Sequence, residues 1–263
     1  MQEMWKKYAG DTSQQEKHRM CDIHIHIVPG VDDGSWNLDM SKTMADMIYL
    51  QGIQKMIATP HSSAFDEDSA FAKAAFEELK EEIGKRNPDM ELYLGSEIHC
   101  TRREMKNVLH NLHYGIYPAM NGTRYVLTEF DTGVDQDEAS LCTEALIADG
   151  WIPILAHVER YKRLFDDEAC VMRLKEKGIL LQINAFSLCE EHKEEIRRNA
   201  QYLVEHGLAD FLGSDGHRMN HRPPSVEYGL NYLYHNFALD DVEALAFRNA
   251  ERLLLSHGAS DRE

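Results

Sequence analysis

Two histidines, His24 and His26, occupy alternate positions of a short apolar segment that has the pattern of a β-strand. Side chains on a strand alternate between its two faces, so both imidazoles point the same way, and Ile23, Ile25 and Ile27 point the other way. A Pro-Gly pair ends the strand, and an acidic turn containing Asp33 follows it. Two imidazoles on one face beside a carboxylate form half of a metal site. For this pair alone, a polar-faced edge strand with incidental histidines is an equally good interpretation.

Further residues of metal-binding type stand at or just after the ends of later strand-like segments. They are His61, Glu97, Glu129, His157, Asp215 and His217. The carboxyl ends of parallel strands meet on one face of an α/β barrel, where barrel active sites lie. A charged Glu97 at the end of an apolar strand also needs a cation beside it. Scattered surface positions would rarely give this distribution by chance, so we expect one metal site at the mouth of a barrel.

Mixed imidazole and carboxylate ligands suit Mn, Fe, Zn or Co better than Ca or Mg. The set is larger than one ion needs, which implies two or three ions. Closely spaced ions can bridge a hydroxide, lower its pKa and clamp the oxygens of a phosphoryl group during in-line attack. Arg160 and Arg222 follow two of the histidines and could fork onto phosphate oxygens, although surface arginines are equally common.

The segments that carry these residues alternate between strand and helix patterns along the chain. The predicted strands are 20–26, 55–59, 91–97, 124–129, 152–157, 179–184 and 210–214. The predicted helices are 37–51, 67–86, 135–149, 166–177, 190–206 and 240–256. This alternation predicts a parallel sheet. Seven units without an obvious linker favour a single α/β domain with one barrel-like sheet over 20–263, after a polar leader at 1–19. An open doubly wound sheet is the alternative.

The composition restricts the possible partners and the compartment. The formal net charge of −17 argues against a nucleic-acid partner, because phosphate backbones need basic surfaces. No apolar run is long enough to cross a bilayer, and the polar start of the chain resembles neither a signal peptide nor a membrane anchor. The five scattered cysteines indicate reduced thiols and a cytoplasmic protein. None of them begins the Cys-x5-Arg loop of thiol-based phosphatases.

The order of these motifs resembles that of the polymerase and histidinol phosphatase (PHP) superfamily over nearly the whole chain. Three stretches are more specific, and they are similar to the bacterial tyrosine-protein phosphatases of capsule and exopolysaccharide loci, the CpsB/YwqE type. These stretches are 22–34, 57–61 and 153–161. The resemblance implies a distorted, seven-stranded (β/α)7 TIM-like barrel with a trinuclear, manganese-favouring metal centre. It also implies hydrolysis of phosphotyrosine on a cognate bacterial tyrosine kinase that controls polysaccharide assembly.

The resemblance further implies a role for each site residue. One ion would be held by His24, His26, Glu97 and Asp215, a second by Asp33, His61 and His217, and a third by Glu129 and His157 with Glu97 bridging. Arg160 and Arg222 match the phosphate-contacting arginines. Two departures concern the pocket, since the family usually has His-Pro-Glu-Arg at 157–160 and a small residue where this chain has Phe186. For the general acid that protonates the leaving oxygen, Asp33 and His217 are the candidates on the predicted rim.

Two other functions stay open at this point. A small-molecule phosphatase of the same superfamily, acting for example on histidinol phosphate, would use the same ligands in a more closed pocket. A catalytically silent metal-binding module attached to a polymerase or kinase is the third hypothesis, and the complete ligand set argues against it. A homo-oligomer is compatible with all three.

Overall fold

The computed structural model describes residues 20–189 and 193–257, so the expected polar leader at 1–19 lies outside the described residues. The described strands are β1 (Cys21–Ile25), β2 (Lys55–Ala58), β3 (Glu91–Leu94), β4 (Glu97–His99), β5 (Tyr125–Glu129), β6 (Ile152–Leu155), β7 (Leu180–Asn184) and β8 (Phe211–Gly213). All pairs between them are parallel, as the alternating pattern predicts.

Helices follow most of the strands. They are α1 (Leu38–Leu50), α2 (Ser63–Arg86), α3 (Met105–His113), α4 (Gln136–Ala148), α5 (Glu168–Glu176), α6 (Glu194–Glu205), α7 (Glu227–Asn236), α8 (Leu239–Glu243) and α9 (Asn249–Leu255). A π-helical segment, Ala244–Arg248, joins the last two. Among the described residues, no helix combines the length and apolar character needed to span a membrane. All five cysteines are buried thiols and form no disulfides.

The strands form two sheets, in the orders β1-β2-β3 and β4-β5-β6-β7-β8, which backbone hydrogen bonds join at both edges. At one edge, the Glu97 N–H donates to the Pro60 carbonyl oxygen at 3.0 Å, and the Ser62 N–H donates to the Glu97 carbonyl oxygen at 2.8 Å. At the other edge, the Asp215 N–H donates to the carbonyl oxygen of His24 at 2.8 Å. The two sheets therefore form one closed barrel, and the predicted barrel is confirmed.

The third predicted strand, 91–97, is two strands, so the prediction of one continuous strand was wrong. The Gly95 N–H donates to the Ala58 carbonyl oxygen at 2.8 Å, which keeps this end beside β2. A Cβ at Gly95 would lie 2.8 Å from the sulfur of Met120, so a side chain here would require Met120 to shift. From Glu97 onward the chain pairs with β5 instead. Strands β3 and β4 follow one another and occupy one strand position between β2 and β5. The barrel therefore still has seven strand positions.

Helix boundaries differ from the predictions where local signals are weak. The helix predicted from residue 67 begins at Ser63 and has a kink at Asp68, whose φ of −155° is not helical. The helix predicted over 190–206 is described from Glu194 to Glu205, and residues 190–192 lie outside the description. Helices α3 and α7 were not predicted. The first is short and buries Met105, Val108 and Leu112, a spacing that does mark one helix face.

Strand β1 is irregular, and this changes which of its side chains share a face. Its register with β2 shifts between Asp22 and Ile25. Ile25 packs into the main hydrophobic core, whereas Ile23 packs with Cys21 in a second, smaller cluster. The expectation that the isoleucines of β1 share one face was therefore wrong for Ile23. The irregularity lies in the strand that carries the histidine pair.

Candidate metal centre

All nine residues with predicted ligand side chains lie in one cluster at the carboxyl ends of the strands. Three groups have donor atoms that all lie within 4.8 Å of one another: His26, Asp33, His61 and His217; His24, His26 and Glu97; and His61, Glu97 and Glu129. The two remaining residues border these groups. His157 Nε2 is 2.9 Å from Glu97 Oε1, and Asp215 Oδ1 is 3.7 Å from His24 Nε2.

The barrel brings these side chains to the face where its strands end. Glu97 begins β4 where that strand joins the end of β2, and Glu129 is the last residue of β5. His157 and Asp215 follow β6 and β8 with positive φ values of 35° and 51°. Non-glycine residues rarely adopt this left-handed conformation, which costs roughly 1–3 kcal/mol and clusters at functional sites. The backbone is thus strained where it turns these two side chains into the cluster.

Glu97 is the centre of the cluster. Its Oε1 lies 3.2 Å from His24 Nε2, and its Oε2 lies 3.1 Å from His26 Nε2 and 3.2 Å from His61 Nδ1. The side chain is only 1% exposed. Burial by itself raises the pKa of this carboxyl, but the surrounding histidines lower it by more, so the net pKa is well below the usual value for glutamate. Glu97 is therefore an anion shared by several imidazoles.

Three of the histidines are oriented by a second partner at Nδ1, so their Nε2 atoms face the cluster. His26 Nδ1 is 2.8 Å from Asp32 Oδ2, and His24 Nδ1 is 3.0 Å from the side-chain oxygen of Gln182. His217 Nδ1 lies 2.9 Å from the carbonyl oxygen of Asp215. Such outer partners fix the tautomer and the ring orientation of metal-binding histidines.

The surroundings of the site shift the pKa values of His24 and His217 in opposite directions. Burial lowers the pKa of His24, but the charges of Glu97 and Asp215 raise it by more, so the net pKa lies above the usual value. Burial and the positive charge of His26 lower the pKa of His217 to about 3. Above that pH, His217 is a neutral imidazole with a lone pair, which is the form that binds metals.

The acidic turn after β1 is held on the outer side of the cluster. Asp33 Oδ1 lies 3.3 Å from His61 Nε2 and 3.4 Å from His217 Nε2, and its side chain is 61% exposed. The guanidinium of Arg218 holds this turn, since its Nε donates to the carbonyl oxygen of Asp33 at 2.7 Å. The same guanidinium lies 4.8 Å from the ring centroid of Trp36, in a cation–π contact.

The spacing of the donor atoms fits bound divalent ions. Ligand atoms about 2.0–2.2 Å from one ion lie about 3.0–3.6 Å from each other. His24 Nε2 and His26 Nε2 are 3.2 Å apart, and His61 Nδ1 is 3.0 Å from Glu129 Oε1. The cluster also holds more carboxylates than arginines. In addition, the Nδ1 atom of His157 is buried without a hydrogen-bond partner among the described residues. Donor type, spacing and charge together support metal binding.

Two arginines meet on Asp215 beside this cluster. Nη1 of Arg160 is 2.9 Å from Asp215 Oδ2, and Nη1 of Arg222 donates to Asp215 Oδ1 at 2.8 Å. The amide of Asn184 donates to Oδ2 at 2.8 Å. Burial raises the pKa of Asp215, whereas His24 and both arginines lower it by more, so the net pKa lies far below the usual value. Both predicted arginines therefore border the cluster, with one shared carboxylate between them.

Sequence reasoning missed the residues that orient the candidate ligands. Asp32 precedes Asp33 in the acidic turn, and its side chain is only 2% exposed and holds His26. Gln182 was placed in a strand only. Its side-chain oxygen also accepts the His157 N–H at 2.8 Å, and its amide donates to Asn184. A carboxylate next to Asp33 and two polar residues inside the apolar strand β7 were the available signals.

The family profile "Capsular polysaccharide synthesis, CpsB/CapC" matches residues 20–255. The tyrosine-protein phosphatase YwqE of Bacillus subtilis is 30% identical over 241 residues, which are 89% of this chain and 91% of that protein. The tyrosine-protein phosphatase CpsB of Streptococcus agalactiae is 27% identical over 246 residues, covering 90% of this chain and 99% of the relative.

Solved structures show the same similarity. A crystal structure from the work on YwqE of Bacillus subtilis and CpsB of Streptococcus pneumoniae, described as metal-dependent tyrosine phosphatases, superposes with a TM-score of 0.78. It is 29% identical, and the match covers 90% of this chain and 95% of that chain. The phosphotriesterase homology protein of Escherichia coli shares the fold at 15% identity, with a TM-score of 0.52 over 90% of this chain and 98% of the other. The chain therefore belongs to the CpsB/CapC family of capsular polysaccharide synthesis.

Proposed function

We propose that this protein is a metal-dependent protein-tyrosine phosphatase, a phosphoric monoester hydrolase. The observation that carries the proposal is the joint presence of a buried histidine–carboxylate cluster and two arginines that meet on Asp215 at its border. The cluster suits divalent ions, and the arginines suit a phosphate group. The tyrosine-phosphatase relatives and the solved structures of that class support the same reaction.

The ions that we propose are Mn²⁺, two or three for each subunit, with Fe, Zn or Co as alternatives of similar ligand preference. The nine ligands are those predicted from the sequence: His24, His26, Asp33, His61, Glu97, Glu129, His157, Asp215 and His217. When bound, such ions would supply positive charge to phosphoryl oxygens and acidify a water molecule. His26 has Nδ1 engaged by Asp32, so it has only Nε2 to offer and can bind one ion.

Other side chains of the site would bind the phosphate group and hold the histidines in position. Arg160 and Arg222 present guanidinium groups that can donate to phosphate oxygens in the forked geometry that arginine favours. Asp215 holds these two groups at one position, which lowers the entropy lost when phosphate binds. Glu97 keeps His24 and His26 in a fixed arrangement, since each of its oxygens lies near one of these rings.

For protonation of the leaving tyrosine oxygen, Asp33 is the better candidate on position. Its carboxyl group is at the open rim with its side chain 61% exposed, whereas the His217 side chain is only 4% exposed. A phenolate is also a fairly good leaving group, with a pKa of about 10, so weak assistance is enough. His217 then serves as a ligand in this proposal.

The proposed substrate is a phosphotyrosine-bearing tail of a bacterial tyrosine kinase of capsular or exopolysaccharide biosynthesis. The rim favours an extended chain over a small enclosed molecule, because the side chains of Asp33 and His61 are 61% and 27% exposed. The kinase connection rests on the family and on the relatives' tyrosine-phosphatase activity. A phosphorylated tail is anionic, and the arginine pair would bind it in spite of the acidic net charge.

The test compares substrates before and after metal removal. Protein stripped with EDTA should be inactive on phosphotyrosine peptides, and added Mn²⁺ should restore activity together with measured metal content. Arg222→Lys should raise KM for the peptide, because the forked contact is lost, while Arg163→Lys on the exposed surface should not. Activity that survives exhaustive chelation would refute the metal-dependent reaction.

The same experiment separates the alternatives. Faster hydrolysis of histidinol phosphate than of a phosphotyrosine peptide would support a small-molecule phosphatase. Absence of phosphoesterase activity with all metals loaded would support a silent metal-binding module instead.

A further inference from the structure

A cavity of about 220 Å³ opens beside the arginine pair, outside the ends of β7 and β8. Arg160 and Arg222 form one side of it, and Phe186 and Pro223 line it as well. This volume is below the roughly 300–1,000 Å³ of sites for drug-sized molecules, so it suits a group of side-chain size. None of the predicted metal ligands lines the cavity. The cavity is therefore next to the metal centre and separate from it.

The charges at the arginine side favour an anion. The two guanidinium groups share one carboxylate, that of Asp215, so the pair carries more positive than negative charge. The arginines are 21% and 37% exposed, which leaves part of each guanidinium accessible. A phosphate group bound across this pair would have its ester oxygen directed either toward the cavity or toward the open rim.

The wall that contains Phe186 is rigid. Phe186 lies in the short 3-10 helix Ala185–Leu188 that follows β7, and both end residues of this helix are buried. Its neighbour Ser187 donates to Glu159 Oε1 at 2.6 Å. Helix α7 packs closely against the same turn, since a Cβ at Gly229 would lie 2.3 Å from the Ala185 carbonyl oxygen. The aromatic ring is thus presented by a turn that cannot shift easily.

A second observation points to a ligand in the same cavity. Ser225 lines it, is 5% exposed, and has a buried hydroxyl with no hydrogen-bond partner among the described residues. Buried polar groups are nearly always hydrogen-bonded, so an unpartnered one needs an explanation. If the bound molecule is a phosphate ester, its ester oxygen or a phosphoryl oxygen would be the acceptor that this hydroxyl lacks.

We propose that this cavity receives the aromatic ring of the phosphorylated residue, with Phe186 as the ring-contacting residue that favours aryl over alkyl phosphates. The ring would lie between Phe186 and Pro223, and the phosphate would extend to the arginine pair and the metal centre. Aromatic pairs contribute beyond simple burial when they stack offset or edge to face. This inference rests on the proposed phosphatase function and adds its side-chain selectivity.

The experiment uses Phe186→Ala and Phe186→Tyr in the full chain, loaded with metal. We expect Phe186→Ala to raise KM for a phosphotyrosine peptide and the inhibition constant of phenylphosphonate about two- to twelvefold. The inhibition constant of methylphosphonate should stay unchanged, since that probe has no ring. Phe186→Tyr should restore both aryl values. Phe71→Ala, which removes an aromatic ring that is 54% exposed on helix α2, is the matched control.

Two outcomes would overturn the inference. Equal weakening of both phosphonates by Phe186→Ala would show a structural effect on the arginines, and unchanged aryl values would place the ring elsewhere. Failure of the phosphatase function itself is recognised separately, because the wild-type protein would then hydrolyse no phosphotyrosine peptide. In that case, calorimetric titration of wild type and Phe186→Ala with both phosphonates still decides whether the cavity binds an aryl group.

Discussion

Replacement of Asp32 by asparagine tests how the ring nitrogens of the site are assigned. Asp32 Oδ2 accepts hydrogen bonds from His26 Nδ1 at 2.8 Å and from the His61 N–H at 3.0 Å. The other oxygen, Oδ1, accepts the Gly34 N–H at 2.9 Å. Both carboxylate oxygens therefore accept, whereas an amide offers one acceptor and one donor group. Asparagine has nearly the same shape, so the substitution changes hydrogen bonding with little change in packing.

Either orientation of the amide creates a conflict. With its NH₂ group at the Oδ2 position, His26 can satisfy it only by moving the ring proton to Nε2, where the lone pair for an ion is lost. With its NH₂ group at the Oδ1 position, it faces the Gly34 N–H. Loss of such an outer partner typically lowers metal affinity about 10–100-fold, which is about 1.4–2.7 kcal/mol. An unpaired buried donor also lowers the free energy of unfolding by about 1–3 kcal/mol.

The assay is calorimetric titration of chelator-treated Asp32→Asn with Mn²⁺, beside denaturant unfolding of the metal-free protein. Asp39→Asn is the matched control, because the Asp39 side chain is 90% exposed and its contact with Lys42 lies at the surface. We expect weaker binding and lower stability only for the Asp32 variant. Wild-type manganese affinity in a folded Asp32→Asn protein would refute the assigned role of Asp32.

Three further substitutions have distinct expected results. Glu97→Gln removes the charge that the histidines share, so turnover and bound metal should both be lost in a peptide assay with parallel metal analysis. Gly34→Ala places a Cβ 2.2 Å from the carbonyl oxygen of His26, so melting temperature and metal content should fall, whereas Gly133→Ala meets nothing within 4 Å and should change neither. Burial raises the pKa of Asp22 from 3.8 to about 6. Because the folded-state pKa is the higher one, the stabilising contribution is complete below about pH 4 and is lost as pH rises through 6. Asp22→Asn should therefore stabilise the metal-free protein by about 3 kcal/mol above pH 6 and have little effect near pH 4, in urea unfolding.

Each of these three predictions would be contradicted by a specific result. Full metal content at full rate in Glu97→Gln would exclude that residue as a ligand. Equal melting temperatures for the two glycine variants would show that the turn tolerates a side chain beside His26. A stability difference between Asp22→Asn and wild type that is independent of pH would show that this carboxyl does not titrate in the expected range.

The arrangement of the barrel was largely predictable, and its irregularities were not. Strand and helix patterns depend on local periodicity, so the alternation and the parallel sheet follow from the sequence. The break at Gly95 follows from a change of partner, from β2 to β5, and neither partner is near in sequence. The same holds for Ile23, whose face depends on the shifted register of β1. The pairing partner of a strand segment and the face of a side chain both depend on which surfaces meet after folding.

For the candidate site, the sequence determined which side chains could be ligands and where the chain would bring them. His24 lies near the end of β1, Glu97 lies beside His61 after the end of β2, and Asp215 follows β8. Parallel strands must bring their carboxyl ends to one face. Only the tertiary structure decided which nitrogen of each ring faces the cluster, because the second partner comes from elsewhere in the chain. Gln182, for example, is 158 residues from His24, and no local pattern relates the two. Residue type and periodicity identify the candidate ligands, whereas the orientation of their side chains depends on contacts that form only when distant strands close the barrel.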